Sequence, residues 1–407
     1  MASASDSITV VNPLSWVTSL RPVAGRTMSV APPSTDEWRR SPAEFDFRSD
    51  TLTTPTPAML AALPTASLGD DVYEESTTTN ALSARLAAMF GKPEALFVPS
   101  GTMGNQLCLR ALLVQPPYSV ICDHRAHIYT DEAGATSLIS QAHLIPVIPK
   151  NGLYMTLEDI KANIVISDDI HFSPTRVISL ENTISSVIHP LAEIKRICEF
   201  ARQNGIKVHL DGARLWNACS VPGAPSLAEY AAEVDSLMVC VSKSLGAPFG
   251  SFVIGSRELV AKANHIRKLL GGGMRQVGIL TAMADIAVTE TFLGGRLAEA
   301  NAYAKMIEAA WLRCGGKMLL PVDTNAAWID LESRGVSEDI WQQVAAEKGV
   351  RIGGVRVMCH YQNSKAAIER LEAVMQEACK RADATGKKTK APVGEFEVVK
   401  KSYLSKM

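Results

Sequence analysis

The stretch SLMVCVSKSLGAPFGSFVIG, residues 236–255, decides the fold. Its first part, 237–241, is apolar without a polar alternation. Strands of that kind are covered on both faces, as in parallel sheets backed by helices. The run stops at Ser242-Lys243, small residues and glycines follow, and a second apolar run begins at Phe252. A lysine at that stop is either an edge residue whose amine reaches water along its own stem or a nucleophile placed where a core strand ends.

Outward from this stretch the same arrangement recurs. The strand 95–98 leads into PSGTMGNQ and a helix from Gly101; 119–122 leads into DHRAHIY; 176–180 into ENT; 207–210 into DGAR. The helix before the last of these sets Leu191, Ile194, Ile197 and Cys198 on one face and stops at Gly205. Strands alternating with helices predict an α/β fold, a mostly parallel doubly wound sheet. The pattern then shifts to a long helical stretch over 278–312, a strand 326–331, a helix 338–347, a strand pair 350–352 and 355–358, and a helix 365–382. The division expected is a large domain over 45–290, a smaller α+β domain over 291–382, and a flexible tail over 383–407.

Composition narrows the class. With 47% hydrophobic and 20% charged residues, the 407-residue chain is of ordinary globular type. Its 41 basic and 42 acidic residues leave a net charge of -1, so no overall field draws it to nucleic acid or anionic membrane. The eight cysteines show no C-x-x-C spacing and read as free thiols of a reducing compartment, not as metal ligands. No apolar run approaches a membrane span. Residues 1–44, rich in Ser, Thr, Pro and Ala, lack a signal-peptide arrangement and read as a disordered extension. A cytoplasmic protein is expected, with the terminal Ser405-Lys406-Met407 a variant of the Ser-Lys-Leu peroxisomal address.

In open α/β sheets ligands bind beyond the carboxyl ends of the strands. Five ends here carry a Gly101-Thr102-x-Gly104 turn, two histidines, an acid-amide pair, Asp211 with Arg214, and Lys243. Each has a plain alternative. The glycines serve turn geometry, Asp211 caps a helix or pairs with Arg214, and Lys243 snorkels. Taken together, an amine, an acid and an anion-binding helix start match the needs of pyridoxal 5'-phosphate. The lysine bonds to the cofactor, the acid keeps its ring nitrogen protonated, and the helix takes the phosphate.

The motifs FRSDTLTTPTPAML, GDDVYEESTTTNALSARLA, FVPSGTMGNQ, AHIY, DDIHF, SLENT, VHLDGARLWNA, VSKSLGAPFGS and GGGMRQVGIL follow one another in order. On them, residues 45–382 resemble the threonine aldolase family, pyridoxal-phosphate lyases of the aspartate-aminotransferase fold (fold type I). The resemblance implies the following roles. Lys243 is the Schiff-base lysine and Asp211 the partner of the ring nitrogen. His127 stacks on the ring and handles the substrate hydroxyl. Gly101 and Thr102 cradle the phosphate. Arg275 reaches the phosphate of a neighbouring subunit, which implies a homodimer or homotetramer. Ser49, Arg214 and Arg356 hold the substrate carboxylate, and His171 is a second active-site histidine or an ordinary core histidine. The small residues after Lys243 keep bulk from the cofactor. The implied reaction cleaves L-threonine or L-allo-threonine to glycine and an aldehyde.

Three departures bear on the substrate pocket. Thr183 is followed by Ile184-Ser185 where the family commonly has a histidine, DDVYG appears as DDVYE beside Tyr73, and the segment before Arg356 is short. Some fungal relatives of the family resemble amino-acid (alanine) racemases of secondary metabolism. For that chemistry Lys243 serves one face of Cα, and His127 or Tyr73 the other.

Overall fold

The computed structural model describes residues 41–384. Most of the N-terminal extension, the C-terminal tripeptide and nearly all of the tail lie outside the described residues. Seven strands form the main sheet: β1 (Glu94–Val98), β2 (Ser119–Asp123), β3 (His143–Val147), β4 (Thr175–Glu181), β5 (Lys207–Asp211), β6 (Ser236–Cys240) and β7 (Ser251–Gly255), in the order β1-β7-β6-β5-β4-β2-β3. β7 is antiparallel to both its neighbours, and the other six strands share one direction. The exception follows from the connection: ten residues separate β6 from β7, enough for a turn and too few for a crossover. All the strand ends named above therefore open onto one edge.

The eight helices of ten or more residues among the described ones are α1 (Thr77–Met89), α2 (Gly101–Leu112), α3 (Leu191–Gln203), α4 (Arg257–Leu269), α5 (Gly278–Ala287), α6 (Arg296–Arg313), α7 (Glu338–Glu347) and α8 (Lys365–Ala384). Helices α1 to α4 cover the two sheet faces, which explains the unbroken apolar strands. In β6, Leu237 and Val239 join the cluster that holds Ile194 and Ile197 of α3. Met238 and Cys240 point the other way, onto Leu107 and Cys108 of α2 and Ala263 of α4.

A second core gathers α6, α7 and α8 around the three-stranded antiparallel sheet of β8 (Lys317–Met318), β9 (Ala326–Asp330) and β10 (Arg356–Met358). Phe47, fully buried, belongs to this core, so the chain's N-terminal segment packs with residues 250 and more positions away. The expected continuous helix over 278–312 is interrupted. After α5 the chain widens into a π-type turn, Val288–Leu293, and then bends at Gly294-Gly295, where Gly295 has φ +77. Of the expected strand over 350–352, only the single bridge of Arg351 to Asp46 forms.

Candidate active site

Lys243 lies three residues beyond the end of β6, half-buried, at the first position of a turn closed by Gly246 N–H on the Lys243 carbonyl at 2.9 Å. Gly246 has φ +87, and a Cβ there would overlap the Tyr361 hydroxyl. Its smallness therefore answers to Tyr361 and to backbone conformation. Among the described residues the Lys243 ammonium makes no hydrogen bond or ion pair, yet its charge is felt by Asp50, His127 and Glu181.

Asp211 ends β5, buried. Its Oδ1 accepts the Ala213 N–H at 2.9 Å, and its Oδ2 accepts from Asn105 Nδ2 at 2.7 Å. The local pairing with Arg214 does not form. Asn105 on α2 donates also to Glu132 Oε1 at 2.8 Å, and its Oδ1 lies 3.1 Å from His209 Nε2. Burial lowers His209 to about 4, so it is neutral, and its Nε2–H donates a hydrogen bond to Asn105 Oδ1. Asp211, Glu132 and His127 thus form a knot in which one ligating atom from each lies within 4.8 Å of the others.

Helix α2 is capped by Ser100, whose hydroxyl accepts from Met103 N at 3.2 Å. The first-turn amides of Gly101 and Thr102 have no helical acceptor, an arrangement that favours an anion. The glycines have a packing reason of their own: a Cβ at Gly101 would stand 2.9 Å from Cys240 Sγ, and one at Gly104 2.6 Å from Met238 Cγ. They let the helix start press against β6, the strand that leads to Lys243.

Arg214 follows β5, and its Nε and Nη2 both donate to Asp50, at 2.8 and 2.7 Å. That edge of the guanidinium is thereby removed from the carboxylate-binding role the resemblance gave it. Asp50 is fully buried. Burial alone would raise its carboxyl, but Arg214, Ser244 and Lys243 outweigh that and hold it well below the usual range. Arg356 on β10 stands over Trp328, 5.9 Å from its ring centre, and donates from Nη2 to the Arg48 carbonyl at 3.4 Å. It is thus drawn to the segment that carries half-buried Ser49.

Two expected residues stand apart. His171 is a correction. Its exposed ring contacts Asp169 at 2.6 Å in the loop before β4, at the amino-terminal edge of the sheet, so it is remote from the site of its own chain. Tyr73 is 73% exposed, on the turn Asp71–Tyr73 beside Arg275, whose Nη1 donates to Asp70 at 2.8 Å. Four residues at the site went unassigned in the sequence: Asp50, Asn105, Glu132 and Glu181. Glu181 ends β4 opposite Asp211 in register and accepts the His127 N–H at 2.9 Å. Burial, then the charge of Asp211, push its carboxyl up to about 8. Thr183 Oγ1 and Ser185 Oγ, just beyond it, are buried with no hydrogen-bond partner among the described residues.

The donor set fits pyridoxal phosphate: an anion site at the start of α2, a carboxylate for a ring N–H, a half-buried histidine and a lysine amine at one edge. The family model described as beta-eliminating lyase matches residues 46–334. The chain belongs to the beta-eliminating lyase family. Within it, the chain is 47% identical to the aldolase vrtJ of Penicillium aethiopicum, over 84% of this chain and 88% of that protein. It is 45% identical to a low-specificity L-threonine aldolase of Candida albicans, over 82% and 89%. It is 40% identical to the alanine racemase TOXG of Cochliobolus carbonum, over 83% and 88%. The solved threonine aldolase of Leishmania major shares its fold, with a TM-score of 0.71 over 82% of this chain and 99% of that one at 21% identity.

Proposed function

We propose that this lyase cleaves L-threonine, L-allo-threonine and related β-hydroxy-α-amino acids to glycine and an aldehyde. The observation that carries the reading is the convergence of Lys243, Asp211, His127 and the head of α2 on one sheet edge, in a chain 45% identical to a low-specificity L-threonine aldolase. Gly101 and Thr102 would hold the cofactor phosphate, Asp211 its ring nitrogen, His127 its ring face and Lys243 its aldehyde carbon. When bound, pyridoxal phosphate supplies the sink for the electron pair released at Cα.

The remaining work falls to side chains of the chain itself. Arg356, with Ser49 beside it, orients the substrate carboxylate through charge-assisted bonds. Arg214, fixed on Asp50, contributes positive charge near that carboxylate. His127 takes the β-hydroxyl proton as the Cα–Cβ bond breaks and the carbonyl forms. Asp211, whose oxygens accept from Asn105 and the Ala213 N–H, would hold the ring N–H. Purified protein loaded with pyridoxal phosphate and given L-threonine should release equimolar glycine and acetaldehyde. A yellow, loaded protein that releases neither overturns the reading.

A racemase reading is favoured by one observation: Ile184 stands where the family resemblance leads one to expect a histidine, flanked by the buried Thr183 and Ser185 hydroxyls, in a chain 40% identical to an alanine racemase. Appearance of D-alanine from L-alanine, with solvent deuterium at Cα, would select it. Arg275, with its side chain 55% exposed and turned to Asp70, supports a homodimer or homotetramer in which it serves a neighbour's site. Among the described residues no helix is long and apolar enough to cross a membrane. We assign the working compartment to the cytoplasm; the alternative is the peroxisome, with Ser405-Lys406-Met407 as the address. Deleting that tripeptide from a tagged protein should abolish any peroxisomal fraction.

A further inference from the structure

His127 opens the four-residue helix His127–Thr130 just beyond β2, and Glu132 follows five positions later. The Glu132 side chain is wholly buried, where an ionised carboxylate needs donors on both oxygens. It has them. Gln106 Nε2 donates to Oε2 at 2.7 Å, Asn105 Nδ2 donates to Oε1 at 2.8 Å, and His127 Nδ1 lies 2.8 Å from Oε1. The two amides can only donate through those nitrogens, so both carboxyl oxygens accept, as those of a carboxylate do. The third partner must then donate as well: His127 holds its hydrogen on Nδ1.

We infer that Glu132 is a positioning residue for His127, fixing the ring plane and the Nδ1–H tautomer so that Nε2 is the atom that exchanges a proton with the substrate. The substrate in that statement rests on the aldolase reading above; the pairing itself does not. In the exchange, Nε2 takes the hydroxyl proton and the resulting imidazolium is balanced by the Glu132 charge, with no oxidant or co-reactant required. The other titratable groups facing the ring are Asp211, Glu181 and Lys243. Burial and the Lys243 charge act against protonation, and Glu132, Asp211 and Glu181 act for it, leaving His127 raised above the ordinary histidine range. Asn105 gives its two hydrogens to Glu132 and Asp211, so the same amide steadies the histidine's partner and the ring-nitrogen partner.

Imidazole nitrogen NMR of the full-length chain, with His127 assigned by its absence in His127→Asn, tests the inference without any catalytic readout. In the wild-type chain neutral His127 should be protonated at Nδ1 and titrate above the ordinary histidine value. An Nε2–H tautomer there overturns the proposal even if no Glu132 variant folds. In Glu132→Gln the titration midpoint should fall by about one pH unit or more, as on removal of an adjacent opposite charge. In the loaded enzyme kcat should fall about a hundredfold with KM little changed. The acid limb of the kcat profile should move down with the NMR midpoint, and Glu132→Asp should restore part of both. A fall in kcat with the limb unmoved would show a merely structural role and sink the assignment. If the NMR results hold while L-threonine is not cleaved, the aldolase reading fails and the pairing stands.

Discussion

Asp50 and Arg214, 164 positions apart, close a two-point ion pair at the carboxyl edge of the sheet, with Asp50 fully buried. Asp50 Oδ2 also accepts the hydroxyl of Ser244, the neighbour of Lys243, at 2.6 Å. One carboxylate therefore ties the N-terminal segment to the end of β5 and to the lysine turn. Removing one partner of a buried pair strands the other charge, at a cost of about 3–5 kcal/mol. Asp50→Asn should lower unfolding free energy by an amount of that order in urea titration. Arg214→Leu in addition should recover part of it; no recovery would mean the pair is not coupled.

The same residue fixes an acid limit. Its folded-state carboxyl lies below the unfolded value, so its contribution is present above the ordinary aspartate range, about 3.9, and is lost as pH falls through and below that range. Wild-type stability should drop on acidification from pH 5 to 3, and the drop should be shallower in Asp50→Asn. Equal slopes would refute the assignment.

Glu181 has the opposite sign. Its carboxyl is raised to about 8 by burial and by Asp211. The folded chain then holds a proton that the unfolded chain releases near 4.3. Stability from this group is full below that value and declines as pH climbs toward 8. Glu181→Gln should therefore gain stability relative to wild type at pH 9 compared with pH 5, measured by thermal melting at the two values. A difference independent of pH would show that Glu181 is ionised throughout.

Arg275 separates stability from assembly. Its pair with Asp70 is exposed, and such pairs contribute about 0–1 kcal/mol. Arg275→Ala should leave the melting temperature of the chain nearly unchanged while weakening retention of pyridoxal phosphate, followed by absorbance through gel filtration with light scattering. Full retention in an oligomer identical to wild type would remove Arg275 from the neighbour's site.

The sheet was legible because burial on both faces leaves unbroken apolar runs such as 237–241, and because the residue after each run is where chemistry is placed. Lys243, Asp211 and the start of α2 were singled out that way, and the fold brings them to one sheet edge. What the sequence hid depends on distance in three dimensions. Asp50 sits beside Ser49 in a quoted motif, but only the folded chain shows that it takes the Arg214 edge assigned to substrate. Glu132 looks like a surface acid five residues after His127, and nothing local signals its burial against Asn105 and Gln106. Glu181 was visible as the acid of ENT, though its proton comes from burial and then from facing Asp211 across β4 and β5. His171 misled because a motif carries no record of which sheet edge its loop occupies.

Gly246 makes the last case testable. It closes the Lys243 turn at φ +87, and its missing side chain leaves room for the ring and hydroxyl of Tyr361, a residue 1% exposed. An L-residue there meets two obstacles, an unfavourable backbone region and contact with Tyr361. Gly246→Ala should destabilise by more than about 1 kcal/mol and weaken cofactor binding by displacing Lys243. Tyr361→Phe removes the hydroxyl but not the ring edge, where the new Cβ would lie 2.6 Å from Cε1. Combining the two should therefore recover only part of the loss, and the recovered part is the contact while the remainder contains the backbone strain and the ring contact. Such coupling between touching positions is read from the four-variant cycle. A neutral Gly246→Ala would show that the turn relaxes freely and that Tyr361 does not set the position of the lysine.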